Sequence, residues 1–463
     1  MRTLSFLIRT KYPVSISRKQ IRGLVKVLAI NVVMLAVLLE LASSGFYFVQ
    51  TRKFFYTRTE KVPAWVKALA GSSQNEAGPS QGPIFQLHPY FGYVSKHDRA
   101  LKFSFSTVAT NPNNYGFYST YSYPFKKQRE KQFVIGVFGG SVAMSLSLFE
   151  LDYHILTQSL QQLPSFKDKE IIVLSFANGS YKQPQQLLLL SYFLSIGQDF
   201  DMVINVDGFN EVALSYLNNQ HGIDIAMPNQ LVIMPLVQLA NRDLSPEQLS
   251  LTLDILQSKS RVKSALARLE NCRLATCYAL NWLQLKYVSR QHDKELMRFS
   301  QLQESIRPND NSLVKIDGPA TPLDDSLALQ QIGSLWAESS VMMKNTLDSR
   351  HASYFHFLQT NQYQDTGRKF NAEDHKIAFD PPSPYAVAAR KGYPVLLARA
   401  DSLKSSGIHF FNGINVFDNL SETVYSDNCC HYNEVGYAAF WRFISKSITE
   451  TIVKDSKLQS SRQ

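Results

Sequence analysis

The sequence predicts an α/β fold. It should be a three-layer α/β/α sandwich on a mostly parallel five-stranded sheet, with a helical insertion and an N-terminal transmembrane helix. Three observations carry that expectation. Five short apolar runs alternate with helical stretches from residue 133 onward, the rhythm of strands buried on both faces and joined by crossover helices. One long apolar stretch lies near the N-terminus. The 463 residues, 44% hydrophobic and 19% charged, suffice for a large core and exclude wholesale disorder, collagen-like repetition and a polytopic membrane protein.

The apolar stretch runs from Val27 to Val49. Those residues span roughly 35 Å as a helix, enough for a ~30 Å hydrocarbon core. Seven bases precede it and four follow before Pro63, so residues 1–26 are expected as a cytoplasmic basic tail and the bulk as extracytoplasmic. The stretch exceeds a usual signal-peptide core, which argues for a retained single-pass anchor in the cell membrane. Phe46, Tyr47 and Phe48 suit an interfacial aromatic belt. The net charge of +10 sits here: residues 1–62 carry eleven bases and two acids, leaving 37 bases and 36 acids for the rest. The expected partner is therefore the lipid bilayer, through residues 27–49, and not a nucleic acid. Glu40 is the odd residue, since a carboxylate in hydrocarbon is costly. It reads either as a contact with a membrane partner or as a protonated or partly solvated side chain on a single anchor.

Residues 50–130 read as a linker and an N-terminal flap. The Gly-, Ser- and Pro-rich stretch 71–83 is the linker, and His88 to Pro124 is aromatic-rich, with short strands and turns. The main domain is expected over 131–452. Its strands are placed at 133–138, 170–176, 201–206, 352–358 and 408–414. Its helices are placed at about 146–162, 184–197, 326–349, 384–406 and 433–452. Residues 215–345 exceed a simple crossover and read as a helical insertion, and 453–463 as a C-terminal tail. Four cysteines exclude a disulfide scaffold. On a regular helix Cys272 and Cys277 would point about 140° apart and could not bridge. A helix break at Asn271 would permit a disulfide, which is not the favoured state.

In open α/β sheets ligands bind at the carboxyl ends of the strands. The first strand ends in Gly139-Gly140-Ser141, the second in Ala177-Asn178-Gly179-Ser180, the third in Asp207-Gly208-Phe209-Asn210-Glu211. Asp427-Asn428-Cys429-Cys430-His431 precedes the last helix. A serine at a helix start can attack a carbonyl, a histidine can take its proton, and a carboxylate can orient the histidine. A glycine N–H and an asparagine amide can donate to the developing oxyanion. Simpler readings exist for each residue. Gly139-Gly140-Ser141 could cradle a phosphate, though it lacks the lysine of a P-loop. Asn210 could be a turn residue, and His431 a polar residue at a helix start. Ser145 reads as packing or capping, and Asp207 and Glu211 as ligands for loop N–H groups. Asp427, Cys429, Cys430 and His431 have soft-metal character, but adjacent cysteines seldom share one ion. No metal and no cofactor is expected. Cys429 and Cys430 read as small packing residues.

At these positions the chain resembles the SGNH (GDSL-like) hydrolase superfamily. The first block corresponds to Gly139-Gly140-Ser141-Val142, the second to Gly179, the third to Gly208-Phe209-Asn210-Glu211 and the fifth to Asp427 through His431. The resemblance implies Ser141 as nucleophile and His431 as base. It implies an oxyanion hole of Asn210, Gly179 and the Ser141 amide. It covers roughly 131–452 apart from the insertion. Two departures stand out. Gly140 replaces the usual aspartate of the first block. The family's orienting aspartate lies three residues before the histidine, where this chain has Asn428, whereas Asp427 lies four before. Either Asp427 completes a triad or the site is a dyad. The segment 111–117, Asn-Pro-Asn-Asn-Tyr-Gly-Phe, is similar to the region preceding SGNH domains that work in exopolysaccharide acetylation. The expected function is an exported ester hydrolase or O-acyltransferase acting on an acylated carbohydrate or another cell-envelope ester. The rival is a non-catalytic SGNH-like binding or assembly subunit.

Overall fold

The computed structural model describes residues 18–58, 61–62, 66, 84–103, 105–106, 109–241, 246–304, 314–319, 321–379 and 383–460. The expected linker at 71–83 lies outside these. In chain order the elements are α1 (Arg18–Thr51), β1 (Phe85–His88), β2 (Gly92–Ser95), β3 (Gln132–Gly139), α2 (Ser141–Tyr153), α3 (Ile155–Gln161), β4 (Glu170–Ala177), α4 (Gln185–Ser195), β5 (Met202–Asp207) and α5 (Phe209–Gln220). There follow α6 (Gln230–Asn241), α7 (Pro246–Glu270), α8 (Ala275–Glu304), α9 (Asp325–Asp348), β6 (Ser353–Leu358), α10 (Ala372–Ala378), α11 (Pro384–Leu397), α12 (Ala400–Ser405), β7 (His409–Asn412) and α13 (Glu434–Ser460). The chain divides into two compact units.

The first unit comprises residues 1–63 and 260–291. Its centre is α1, a helix long and apolar enough to cross a membrane. Large apolar side chains are exposed all round it from Leu24 to Leu41. Beyond that point one face of α1 is packed, while Val49 stays exposed. Tyr47 is buried against Tyr278 and Phe55, with ring centroids 5.0 and 5.3 Å away, and Phe46 meets Trp282 at 5.2 Å. The expected aromatic belt is therefore corrected at Tyr47, which faces protein. Its ring is a large apolar surface, and Tyr278 of α8 and Phe55 cover it. A second correction concerns the cysteines. Helix α7 stops at Glu270 and α8 begins at Ala275, so Cys272 lies in a turn, 5.6 Å from Cys277 between Cα atoms, and the two are disulfide-bonded. The helix break removes the azimuthal obstacle.

Glu40 is half-buried and is held by other parts of its own unit. Its carboxylate accepts from the N–H groups of Ala275 and Thr276, from Thr276 Oγ1 at 2.7 Å, and from the Tyr56 hydroxyl. The start of α8 has N–H groups without helical acceptors, and a carboxylate there satisfies them and the helix dipole together.

The second unit holds the sheet, residues 64–259 and 292–463. Five strands run parallel in the order β4-β3-β5-β6-β7. Every expected strand is present; β3, β5 and β6 are buried along nearly their whole length, β4 mainly over its second half, and the edge strand β7 at Phe410. The register aligns the carboxyl ends: Gly139 pairs with Ala177 and with Val206, and Asp207 with Leu358. Strand order reverses between β3 and β5, and the crevice there is where such sheets bind ligands. Helix α2 packs on β3, β4 and β5, α9 on β6, and α12 on β7. The 215–345 stretch contains α6, α7 and α8, and from Asp325 onward it is α9 on the sheet. Trp441 of α13 is fully buried and donates to the Leu146 carbonyl at 2.7 Å, fastening the last helix to α2.

His356 lies mid-strand in β6 and is wholly buried. Its Nε2 is 2.7 Å from Asp207 Oδ1, which also accepts from Trp336 Nε1 at 2.7 Å, and its Nδ1 is 2.8 Å from Ser340 Oγ. Asp207 Oδ2 accepts from Asn205 at 2.6 Å. Asp207 is thus the hub of a buried side-chain network, which corrects its reading as a loop ligand. Glu211 does bind loop N–H groups, those of Gly208 at 2.7 Å and Gln183 at 3.0 Å.

Candidate active site

Strand β3 turns into α2 over two glycines. Gly139 has φ +142°, a region L side chains rarely adopt, and a Cβ there would lie 2.1 Å from the Val206 carbonyl oxygen. Gly140 is needed for a different reason: its Cβ would lie 2.1 Å from Asn210 Nδ2. The asparagine amide fills the space an aspartate at 140 would occupy. Ser141 then becomes the first residue of α2, where the N-terminal end of the helix favours negative charge.

His431 reaches this serine from the far end of the chain. Its Nε2 is 2.7 Å from Ser141 Oγ, and its Nδ1 is 2.5 Å from Asp427 Oδ2. The four-residue spacing works because the loop folds on itself. Tyr425 and Tyr432 form an antiparallel bridge, and Ser426 N–H donates to the His431 carbonyl at 3.0 Å. Asp427 Oδ1 accepts from the N–H groups of Cys429, Cys430 and His431 at 2.9, 3.1 and 3.2 Å. One carboxylate oxygen therefore ties the loop and the other holds the ring. Residues after β6 brace it from outside: Asn361 Nδ2 donates to the Cys429 carbonyl at 3.1 Å, and the Tyr363 hydroxyl to the Asn428 carbonyl at 2.5 Å. Nothing in the sequence marks Asn361 or Tyr363, because neither belongs to a chemical motif.

The electrostatics follow from this geometry. Burial pushes the His431 pKa down, but the Asp427 carboxylate more than offsets it and holds the ring up at about 9. Burial pushes Asp427 up, and the His431 charge with the loop N–H groups leaves it below its ordinary value. Burial and the nearby Asp207 charge raise the Glu211 carboxyl above the usual carboxylate range.

The other site residues are close by but engaged. Asn210 Nδ2 donates to the Tyr181 carbonyl at 2.8 Å. Gly179 N–H donates to Asn178 Oδ1 at 2.9 Å, and its carbonyl accepts from the Tyr93 hydroxyl at 3.0 Å. Asn178 is itself fixed, accepting from Ser95 Oγ at 3.0 Å and donating to the Gly116 carbonyl at 3.4 Å. The 111–117 segment thus contacts the site through Gly116. Its Asn113 Oδ1 holds the turn by accepting from Tyr115 and Phe117 N–H. Asn178, Tyr181 and Ser95 were not singled out from the sequence.

Ser141, His431, Asp427 and Gly179 line a cleft, closed on its other side by Phe85, Leu101, Phe103 and Tyr118 from the N-terminal segment. Its volume is about 60 Å³, room for a few water molecules. Ser145 also lines it but is buried, a turn further along α2.

Cys429, Cys430 and His431 bring their ligand atoms within 4.8 Å of one another. Those atoms are already committed. Both His431 nitrogens are hydrogen-bonded, and the two sulfurs are 3.4 Å apart. The bond to Cys430 and burial push the Cys429 thiol well above its ordinary pKa. A metal would have to displace the serine or the aspartate and take up the Cys429 thiol against its raised pKa, so the donor set does not fit an ion. No protein-family model and no curated protein matches this chain.

Proposed function

We propose that the protein is a membrane-anchored serine ester hydrolase or O-acyltransferase of the SGNH type. In this reading its main domain is a three-layer α/β/α sandwich on the extracytoplasmic side, and α1 is a single span with a cytoplasmic N-terminus. Its substrate is an acylated carbohydrate or another cell-envelope ester. The observation that supports this best is the hydrogen-bonded line Ser141–His431–Asp427 at the carboxyl edge of a parallel sheet. His431 Nε2 takes the proton of Ser141 as Oγ attacks the ester carbonyl. Asp427 steadies the imidazolium that forms. The leaving alcohol takes that proton, and the acyl group stays on Ser141. Water or a sugar hydroxyl then attacks the acyl-serine with His431 again as base, releasing an acid or a new ester. The cleft volume favours a small acyl group.

The test is labelling by a fluorophosphonate probe, with turnover of a panel of small esters. Ser141→Ala should abolish both, and Ser145→Ala should leave most of each. No labelling of Ser141 and no turnover over a broad panel would sink the enzyme reading.

One observation favours the rival, a non-catalytic binding or assembly subunit. The Gly179 N–H and the Asn210 amide both donate to neighbouring protein oxygens. Catalysis requires them to turn toward the oxyanion. A substrate analogue that binds without being turned over by the unsubstituted protein would support that rival.

A further inference from the structure

The first unit carries more apolar surface than its spanning helix. The segment of α1 exposed all round, Leu24 to Leu41, measures about 27 Å at 1.5 Å per residue, close to a hydrocarbon core. Glu40 is the last but one residue of that segment, and its carboxylate holds the N–H groups of Ala275 and Thr276. The first turn of α8 therefore sits level with the end of the apolar segment and not clear of it. From there α8 follows α1, with Tyr278 on Tyr47 and Trp282 on Phe46.

That packing uses one face of α8. The opposite face presents Leu280 (64% exposed), Leu283 (56%) and Tyr287 (64%), and the turn before it presents Leu274. Residues 280, 283 and 287 fall on one helical stripe. Nothing among the described residues covers that stripe. Residues 260–291 also hold six bases and one acid, the sign that complements lipid phosphates. An apolar stripe beside a basic excess, at the mouth of a spanning helix, has the chemistry of a bilayer interface.

We propose that the helical-hairpin tip, residues 272–287, is embedded in the lipid leaflet at the C-terminal end of α1. The protein then grips the membrane through one span and one re-entering tip. The tip also explains how Glu40 is tolerated at that depth, because α8 brings its donors into the membrane with it. This proposal rests on the reading of α1 as a span.

The test uses the full-length protein in lipid nanodiscs containing a phospholipid with a diazirine on its acyl chain. Labelled peptides are mapped by mass spectrometry. Label is expected on 24–41 and on 274–287, and only background on the α11 peptide around the exposed Val387. Leu280→Asn with Leu283→Asn should lower tip labelling several-fold and leave α1 labelling unchanged. Label on α1 with the tip at the Val387 level would overturn the proposal and keep the span. An unlabelled α1 would overturn both. Cross-links from the tip to another protein in native membranes, in place of lipid, would also overturn it.

Discussion

Asp427→Asn isolates what the carboxylate does at the site. The substitution keeps an oxygen where Oδ1 accepts from three loop N–H groups, so the loop should stay closed. It replaces Oδ2 with an N–H₂ group facing His431 Nδ1. The ring must then carry its proton on Nε2, pointing at Ser141, and has no lone pair for the serine proton. The expected loss of labelling rate is on the order of 10²–10⁴. The pH profile should move as well. In the unsubstituted protein the ring titrates at about 9 because Asp427 outweighs burial, so labelling should climb through that pH as the neutral base appears. Without the carboxylate, burial is opposed only by the smaller influence of Cys429, and the rise should fall toward 6.5, the ordinary value. Comparing rates near pH 10, where both rings are neutral, reads orientation alone. Stability gives an independent measure. The depressed Asp427 contributes above its ordinary 3.8 and loses that as pH falls. The raised His431 contributes fully below 6.5 and loses that as pH rises through about 9. With these side chains 31% and 28% exposed, the substitution should cost about 1–3 kcal/mol in denaturant unfolding near pH 5–6, and clearly less near pH 10, where the ring has lost its charge. An unchanged labelling rate and an unmoved profile would refute the assignment of Asp427 as the orienting group.

Three further outcomes follow from the packing. Gly140→Ala places a Cβ against Asn210 Nδ2 and must push that amide off Tyr181. It should cost about 1–3 kcal/mol in thermal unfolding and slow labelling by about 10²–10³, as Asn210→Ala should. His356→Leu strips a buried partner from Asp207 and should lower stability by about 3–5 kcal/mol, while the protein still folded at low temperature labels at the normal rate. A chain beginning at Gly82 loses Phe46, Tyr47 and Phe55, which cover Trp282 and Tyr278. It should fold in its sheet unit yet associate through the uncovered hairpin. Size-exclusion chromatography checks this, and replacing 260–291 by a short turn should restore a monomer.

The strands were legible because each is a contiguous apolar run, and period and length suffice to place such runs. Helix starts were less so. The helix placed at 146–162 begins at Ser141, directly after the two glycines, and is split at His154, whose φ is +52°. The site residues were legible as short polar blocks at strand ends. What the sequence could not reveal was who pairs with whom across long separations. Glu40 and Thr276 are 236 residues apart, and Asp207 and His356 149. No local spacing encodes either pair. The Cys272–Cys277 bond hid for the opposite reason: a local rule for regular helices was applied across a turn.

The Glu40 contact also sets an order of events during synthesis. If α1 is a span, as proposed, the carboxylate enters the bilayer with it; Tyr56 follows 16 residues later, but the backbone donors that satisfy it lie 235 residues later at Ala275. At ribosomal speeds of about 5–20 residues per second, that interval is roughly 10–50 s. Throughout it a nascent span would carry an acid that lacks its α8 donors and has at most the Tyr56 hydroxyl. Any translocation machinery must tolerate or shield that acid, and premature release would strand it. Docking of the α8 start is then the step that makes the anchor self-sufficient, so a single side chain in the span reports whether the distal hairpin has arrived.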